Sequence, residues 1–447
     1  MAIDHNQANE YLNKLGATDN REKLRERLLP KKNSDLTQAK RVPRNPHVNA
    51  ESVIQRWEVI DAESVPNPAL LDDRTRQEMD CYERNIENFI GTLKMPVGIA
   101  GPLRVNGLHA QGDYYIPLAT TEAALVASYN RGAQLISRAG GATSMVLSQG
   151  VSRAPGFAFK SIVDAGEFIA WLSPQFETFK EIAAKTTAHG SLTDIRVTLE
   201  GNHVYVGFTY TTGDAAGQNM VTIATNEVYT YILAQSPVKP EYSFLEANLS
   251  GDKKASALSF LSVRGKKVTT EVVLSESLVK RMLHTTPKRM TDYWRMSAMG
   301  GVLSGTIGVQ GHYANGLAAL YIACGQDAAC VSESSVGVTR FELLEDNSLY
   351  ASVTMPNLIV GTVGGGTGLP SQKACLDIMQ LAGQGKAMAF AEVCATVCLA
   401  GELSIIGALC AGHFSRAHQQ LARGRDVNTK NDDNDKSDSR DNDRSDS

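Results

Sequence analysis

The most apolar stretch of the chain, residues 389–413, is interrupted by two carboxylates, Glu392 and Glu402. A bilayer span needs about 20 uninterrupted apolar residues, so this run reads as a helix buried inside a protein rather than a membrane anchor. Burying it requires a large interior. The chain has 447 residues, and at about 100–200 residues per domain that length suggests two to four structural units. An apolar fraction of 43%, a charged fraction of 21% and a formal charge of −4 match an ordinary soluble globular protein. They offer no basic surface for nucleic acid. The N-terminus carries early acidic and polar residues with no apolar block before a small-residue cleavage site, so no signal peptide is expected and the predicted location is cytoplasmic.

The seven cysteines, Cys81, Cys324, Cys330, Cys375, Cys394, Cys398 and Cys410, are odd in number and lack paired CxxC blocks. Most lie in apolar helical sequence, which favours packed free thiols over disulfides or a zinc site. No metal is implied.

The composition shifts along the chain define a domain plan. Residues 1–86 are charged and helix-prone, with a Pro43-Arg44-Asn45-Pro46 break, and read as a small helical arm without a core. Residues 426–447 contain a single aliphatic residue and are expected to be a disordered tail, because they cannot bury enough surface to offset ordering entropy. Between 155 and 248 the pattern becomes strand, helix, hairpin, helix, strand. An apolar run at 157–163 precedes a helical periodicity at Phe168, Trp171, Leu172, Phe176, Phe179 and Ile182, with a possible kink at Pro174. Ile195, Val197 and Leu199 then alternate, as do Val204, Val206 and Phe208 after a Glu200-Gly201-Asn202 turn. A second helix follows, with Met220, Ile223, Ala224, Val228, Tyr231 and Ile232 on one face, and a strand near 242–245. The order βαββαβ is that of a ferredoxin-like unit. It is inserted into a larger helical and β domain made of 87–154 and 249–425, so the fold class is α+β.

Four segments of the larger domain carry ionisable groups in apolar surroundings. Glu122 falls in the first turn of a helix after Pro117, where a carboxylate also suits the helix dipole by about 0.3–1 kcal/mol. Asp327 follows the apolar run Leu320 to Cys324, and is either a structural N-cap or a buried acid in need of a cation. The loop SGDKKAS, residues 250–256, offers lysines of that kind, though a lysine doublet beside an aspartate is more often surface charge. His413 and His418 follow the long apolar helix, where a histidine can serve merely as a favourable partial charge. Of two glycine-rich turns, 213–219 opens a helix whose free N–H groups could meet a pyrophosphate. The other, 361–368, lacks the Gly-Lys-Ser/Thr ending of a Walker motif and does not match GxGxxG.

In order along the chain stand ENFIG (87–91), PVGIAGPL (96–103), ATTEAALVASYNRG (119–132), DKK (252–254), YIACGQDAA (321–329), TMPNLIVGTVGGGTGLPSQKACL (354–376) and AGELSIIGALCAGH (400–413). With these motifs, collinear from about 87 to 418, the chain resembles the 3-hydroxy-3-methylglutaryl-CoA (HMG-CoA) reductases. The wording is similar to the class shared by eukaryotes and archaea, here without a membrane anchor. The resemblance implies reduction of HMG-CoA to mevalonate and CoA for isoprenoid biosynthesis, by two hydride transfers from NADPH or NADH bound on the ferredoxin-like domain. It also implies a homodimer, or a tetramer of dimers, with the active site between subunits. Its enzyme-class alternative is a reductase of a related 3-hydroxyacyl-CoA, and its other alternative a non-catalytic CoA-ester-binding paralogue.

Through the resemblance, Lys253 is the cation for the carbonyl oxygen that becomes charged as hydride arrives. Asp327 holds that lysine and sits near Glu122, the proton donor. His418, after Arg416 and Ala417, protonates the CoA thiolate. Arg153 grips the acyl carboxylate. Asp252 and Lys254 flank the lysine, Ser128, Asn130 and Arg131 match CoA contacts, and Arg295 lies near the CoA phosphates. Thr187, Asp214, Ala215, Gly217, Asn219 and Asn315 match the nicotinamide side. Two departures stand out. The family's DAMGMN loop reads DAAGQN at 214–219, and a segment that usually carries an arginine for the 2′-phosphate of NADPH reads Thr186-Thr187-Ala188-His189. Glu246 stands where the family has a serine touching the HMG carboxylate.

Overall fold

The computed structural model describes residues 4–16, 26, 28–31, 40–60 and 66–412. His413, His418 and the expected tail at 426–447 lie outside the described residues. Contacts divide the chain into Met1–Lys94 and Met95–Ser447.

The first unit contains α1 (His5–Gly16), α2 (Ala50–Ile60) and α3 (Asp73–Gln77). Expected as an arm without a core, it has one: Val48, Val53, Trp57, Leu71, Met79 and Phe89 cluster together. Val53 and Trp57 are one turn apart on α2 and share its inner face. Between them Arg56, 1% exposed, donates to the carbonyls of Phe89 at 2.9 Å and Asn45 at 2.6 Å. Phe89 therefore belongs to this unit, which runs past the boundary expected at 86.

The second unit begins with β1 (Val97–Gly107), β2 (Gln111–Ala119), α4 (Leu125–Arg138) and β3 (Ala142–Arg153). A small layer follows: β4 (Gly156–Ala158), α5 (Ile162–Leu172), α6 (Phe176–Ala184), β5 (Leu192–Glu200), β6 (His203–Tyr210), α7 (Gln218–Gln235) and β7 (Tyr242–Phe244). The chain continues through β8 (Gly265–Leu274), α8 (Glu276–Leu283), α9 (Pro287–Ser304), β9 (Gly308–Val309), α10 (Tyr313–Ala323), α11 (Val331–Ser334), β10 (Gly337–Leu343), β11 (Leu349–Leu358), α12 (Pro370–Ile378) and α13 (Ala387–Ala411).

Strands β7, β4, β6 and β5 lie in that order, each antiparallel to its neighbour. With the helices α5 to α7 this is the split βαβ of a ferredoxin-like unit, inserted in an α+β fold. It has its own core, in which Phe157, Phe168, Phe179, Val206 and Phe208 meet Val221 and Val228 of α7. Strand β3 serves both layers. Thr143 to Gly150 pair with β8, and Val151 to Arg153 pair with β6.

Local chemistry explains where the elements depart from the apolar pattern. The run at 157–163 is strand only to Ala158, because the Ser161 side chain accepts the Asp164 N–H at 3.2 Å and starts α5. Pro174 separates α5 from α6 through a short 3₁₀ turn. On α7 the buried face is Val221, Ala224, Thr225, Val228 and Ile232, while Ile223, expected inside, is 57% exposed.

Helix α13 is enclosed along its length and packs against α4, β8 and β11. Among the described residues it is the one helix long and apolar enough to cross a membrane, and it is mostly buried inside the protein. Gly132 of α4 lets the two helices touch, since a Cβ there would overlap the Ala400 carbonyl. Glu392 and Glu402 are both fully buried, and each is occupied by backbone donors. Glu392 accepts from His109 at 2.9 Å, Ala110 at 2.8 Å and Val146 at 3.2 Å. Glu402 accepts from Gly311 at 2.8 Å and His312 at 2.9 Å, and from the Thr339 hydroxyl at 2.7 Å. With each orphaned buried group costing about 1–3 kcal/mol, Glu392→Ala is expected to lose about 3 kcal/mol or more, read as a lower urea midpoint. An unchanged midpoint would mean that water replaces the carboxylate.

Candidate active site

The loop between β7 and β8 carries Lys253, whose φ of +57° is left-handed. Its Nζ lies 2.8 Å from Asp327 Oδ2, and both side chains are just under half exposed. Asp327 follows α10 and also caps the short 3₁₀ turn Ala328–Cys330, accepting the Ala329 N–H at 3.0 Å. This acid therefore caps the turn and pairs with a lysine at once, although it is exposed rather than buried as the second reading expected. The hydrogen bond that Lys253 donates to Asp327, with the charge of that carboxylate, raises the Lys253 pKa, burial opposing. Partial burial pushes the Asp327 carboxyl up, but Lys253 and the Ala329 N–H outweigh it and hold the carboxyl below its ordinary range. The pair is ionic at neutral pH.

Glu122 does not lie in the first turn of a helix. It sits in the turn before α4, whose N-cap is Ala124, because its N–H is taken by Thr120 Oγ1 at 3.0 Å. Its carboxylate accepts from Asn315 Nδ2 at 3.2 and 3.3 Å. Asn315 is in the first turn of α10, whereas Asp327 lies beyond its C-terminal end. About 12 Å of helix separates Asn315 from that end at 1.5 Å per residue. Within one chain, Glu122 pairs with Asn315 at one end of α10, and Lys253 pairs with Asp327 beyond the other.

Arg153, 8% exposed, ends β3 with every guanidinium nitrogen engaged. Its Nη1 meets Asp252 Oδ2 at 2.7 Å, Nη2 meets Gln218 Oε1 at 3.2 Å and Nε meets Thr222 Oγ1 at 2.9 Å. Glu246 stands 4.0 Å from the same guanidinium and accepts the N–H groups of Ala154 and Asn248 at 3.2 and 2.8 Å. The Lys254 ammonium donates to the Asp252 carbonyl at 2.8 Å. Behind them Arg264, 3% exposed, binds Asp252 Oδ1 and Gln218 Oε1, each at 2.7 Å, and Glu333. Burial raises the Glu333 carboxyl pKa, with Arg264 opposing. Arg264 and Glu333 match none of the sequence motifs, and neither stands in an apolar run: Glu333 lies between Ser332 and Ser334, and Arg264 is followed by Gly265, Lys266 and Lys267.

The turn from Asp214 to Gln218 leads into α7, whose N-cap Gly217 is left-handed (φ 81°) and whose first turn has no acidic residue. Asp214 itself is committed elsewhere. Its carboxylate accepts the N–H groups of Gly385 at 2.8 Å and Ala387 at 3.1 Å, at the start of α13, and its carbonyl accepts from Thr362 at 2.8 Å. Gly361 is required for this docking, because a Cβ there would lie 2.5 Å from the Ala216 nitrogen. The glycine-rich stretch at 361–368 thus meets the DAAGQN turn. Ala215 is partly buried in that contact and Asn219 is exposed. Thr187 donates to Met220 Sδ at 3.1 Å.

On α4, Ser128 and Arg131 both meet Ser404 of α13, at 2.9 Å between hydroxyls and 2.8 Å from Arg131 Nη2 to the Ser404 carbonyl. Asn130 accepts the Gly101 N–H at 3.0 Å. Arg295 is exposed on α9 with Asp292 at 3.2 Å. Cys81 is an exposed thiol and the other six cysteines are buried; all are free. Among the described residues no group of three or more His, Cys, Asp or Glu side chains is arranged to hold a metal ion.

The family model described as hydroxymethylglutaryl-coenzyme A reductase matches residues 52–423. The chain belongs to the hydroxymethylglutaryl-coenzyme A reductase family. It is 44% identical over 348 residues to the 3-hydroxy-3-methylglutaryl-coenzyme A reductase of Methanocaldococcus jannaschii, covering 76% of this chain and 85% of that one. The enzyme of the same name from Methanothermobacter thermautotrophicus is 44% identical over 343 residues, covering 76% and 86%. In fold, the chain is similar to the class II reductase of Streptococcus pneumoniae, solved bound to NADPH, with a TM-score of 0.60 at 19% identity over 79% of this chain and 96% of that one.

Within this family member, the Lys253 pKa depends on Asp327. A group whose folded pKa is raised adds stability below its unfolded value, here 10.5, and loses it as pH rises through the folded value. Asp327→Asn is therefore expected to lower the Lys253 pKa, with only a small loss of stability confined to the pH range in which both groups are charged, because both are half exposed. An NMR titration of labelled lysine reads the first effect; an unchanged lysine pKa would contradict it.

Proposed function

We infer that the protein reduces the thioester of HMG-CoA to the alcohol of mevalonate and releases CoA. It is an oxidoreductase of the mevalonate pathway. The observation that carries this reading is the Lys253–Asp327 ion pair at 2.8 Å, on a loop whose aspartate also binds Arg153, in a chain matched to the family over 52–423. Family membership over that length favours this reading over a related acyl-CoA reductase or a non-catalytic CoA-ester binder.

A nicotinamide cofactor would supply the hydrides. The N-terminus of α7 fits its pyrophosphate, because the first-turn N–H groups of a helix attract anions and no carboxylate opposes them there. Thr187, Ala215, Gly217, Asn219 and Asn315 would hold it, with Asp214 fixing the turn.

Hydride addition to the thioester carbonyl leaves negative charge on oxygen, and the Lys253 ammonium stabilises it. Asp327 keeps that ammonium charged. The thiohemiacetal then expels CoA as a thiolate, which takes a proton from His418, leaving an aldehyde. A second hydride addition, with a proton from Glu122, completes the alcohol. Arg153 binds the acyl carboxylate while Asp252 holds its guanidinium, and Lys254 lies beside them. Ser128, Asn130, Arg131 and Arg295 contribute to the CoA side.

The separation of Glu122 from Lys253 along α10 supports a site completed between subunits of a homodimer, alone or within a tetramer of dimers. We assign residues 155–248 to the cofactor domain and the flanking segments to the substrate domain, and we propose a cytoplasmic location.

Three measurements test this. Turnover of HMG-CoA is expected to oxidise two nicotinamide cofactors per CoA thiol released, and Lys253→Met to reduce kcat by about 10²–10³-fold; a chain that binds HMG-CoA without oxidising cofactor would refute the reading. Mixing inactive Glu122→Gln and Lys253→Met subunits is expected to recover roughly a quarter of wild-type activity through mixed dimers, and no recovery would place the site within one chain. The absence of an arginine at 186–189 removes a contact of about 1.5–3 kcal/mol to a phosphate, so the preference for NADPH over NADH in kcat/KM is expected to be weak or reversed. A strong NADPH preference would contradict this last expectation.

A further inference from the structure

The segment from Asp327 to Glu333 takes hold of one lysine at three different atoms. Asp327 Oδ2 meets Lys253 Nζ at 2.8 Å. Ser332 Oγ donates to the Lys253 carbonyl at 2.6 Å, and Glu333 Oε1 accepts the Lys253 N–H at 3.1 Å. The φ of +57° at Lys253 is disfavoured for a residue with a Cβ, and such a backbone persists only where its surroundings over-determine it. Here the surroundings are a buried ionic chain. Glu333 is 0% exposed and is paired with Arg264 Nη1. Arg264 binds Asp252 Oδ1 at 2.7 Å, and Asp252 Oδ2 binds Arg153 at 2.7 Å.

We propose that Glu333, anchored by Arg264, and Ser332 are positioning residues that set the backbone of Lys253 and thereby aim its ammonium at the substrate carbonyl. Neither side chain touches substrate. Asp327 fixes the end of the lysine, Ser332 and Glu333 fix its root, and Arg264 with Asp252 ties that root to Arg153. The geometry explains why this lysine can be held at a set distance from a carboxylate grip although it sits on a loop. The inference rests on reading Lys253 as the carbonyl-directed cation.

Wild-type turnover of HMG-CoA, and its loss in Lys253→Met, test that underlying reading; if either fails, the inference falls with it. Given both, kcat and KM are measured across pH for Ser332→Ala, Glu333→Ala and Glu333→Gln. Because a misplacement of about 1 Å can cost about 10²-fold in rate, kcat is expected to fall by about 10²-fold in Glu333→Ala and about tenfold in Ser332→Ala, with KM for HMG-CoA within about threefold. Glu333→Gln retains an oxygen for the Lys253 N–H and is expected to recover part of the loss. The alkaline limb of the kcat profile should move to lower pH in Ser332→Ala and Glu333→Ala, as the ammonium leaves Asp327. A merely structural role would lower Tm while leaving kcat of the folded enzyme and the alkaline limb unchanged, and that result overturns the proposal. Ser332 is exposed, so Ser332→Ala keeps the test decisive should Glu333→Ala fail to fold: an unchanged kcat and limb in that variant overturns the proposal by itself.

Discussion

Two carboxylates buried on one apolar helix organise the larger domain. Glu392 and Glu402 lie ten positions apart on α13 and are both sealed from solvent. A buried charge is costly unless hydrogen-bonded, so each collects backbone N–H groups: Glu392 from the β1–β2 connection and β3, and Glu402 from the residues leading into α10. These contacts locate α10 relative to α13. Since Asn315 lies at one end of α10 and Asp327 beyond the other, the same contacts set where those two residues stand.

Charge is used at two depths in the site. Lys253 and Asp327 are half exposed, and an ion pair in that setting adds little to stability. Arg264, Glu333 and Arg153 are nearly or fully buried, where breaking one partnership leaves another charge stranded. The buried part of the network therefore lies beneath the exposed pair. The DAAGQN turn follows a similar division: Asp214 is spent on the N-terminus of α13, and the first turn of α7 holds no acidic residue.

Much of this was legible along the chain. The βαββαβ order of 155–248 follows from strict alternation at Ile195–Leu199 and Val204–Phe208 and from helical spacing around Phe168 and Val228, because local periodicity reports which face is buried. The pairing of Asp327 with Lys253 was also accessible, since the family motifs carry both residues. The core of the first unit was not, because Val53, Trp57, Leu71 and Phe89 are too scattered to form a periodic signal. Nor were Arg264, Glu333 and Ser332: their roles depend on a loop and a four-residue helix meeting across some 80 residues, and no local pattern encodes such a meeting.

The sequence by itself determined the family and the α+β class, because those depend on residue type, spacing and order. Tertiary structure alone decided how they are held. It showed that SGDKKAS is neither a free surface turn nor a self-sufficient catalytic loop, but a strained turn gripped at three atoms by the segment that also supplies Asp327. It also placed Glu122 at the far end of a rigid helix from that lysine. The physical reason is that distances between segments remote in sequence are fixed by packing and buried hydrogen bonds, which the linear pattern of residues does not specify.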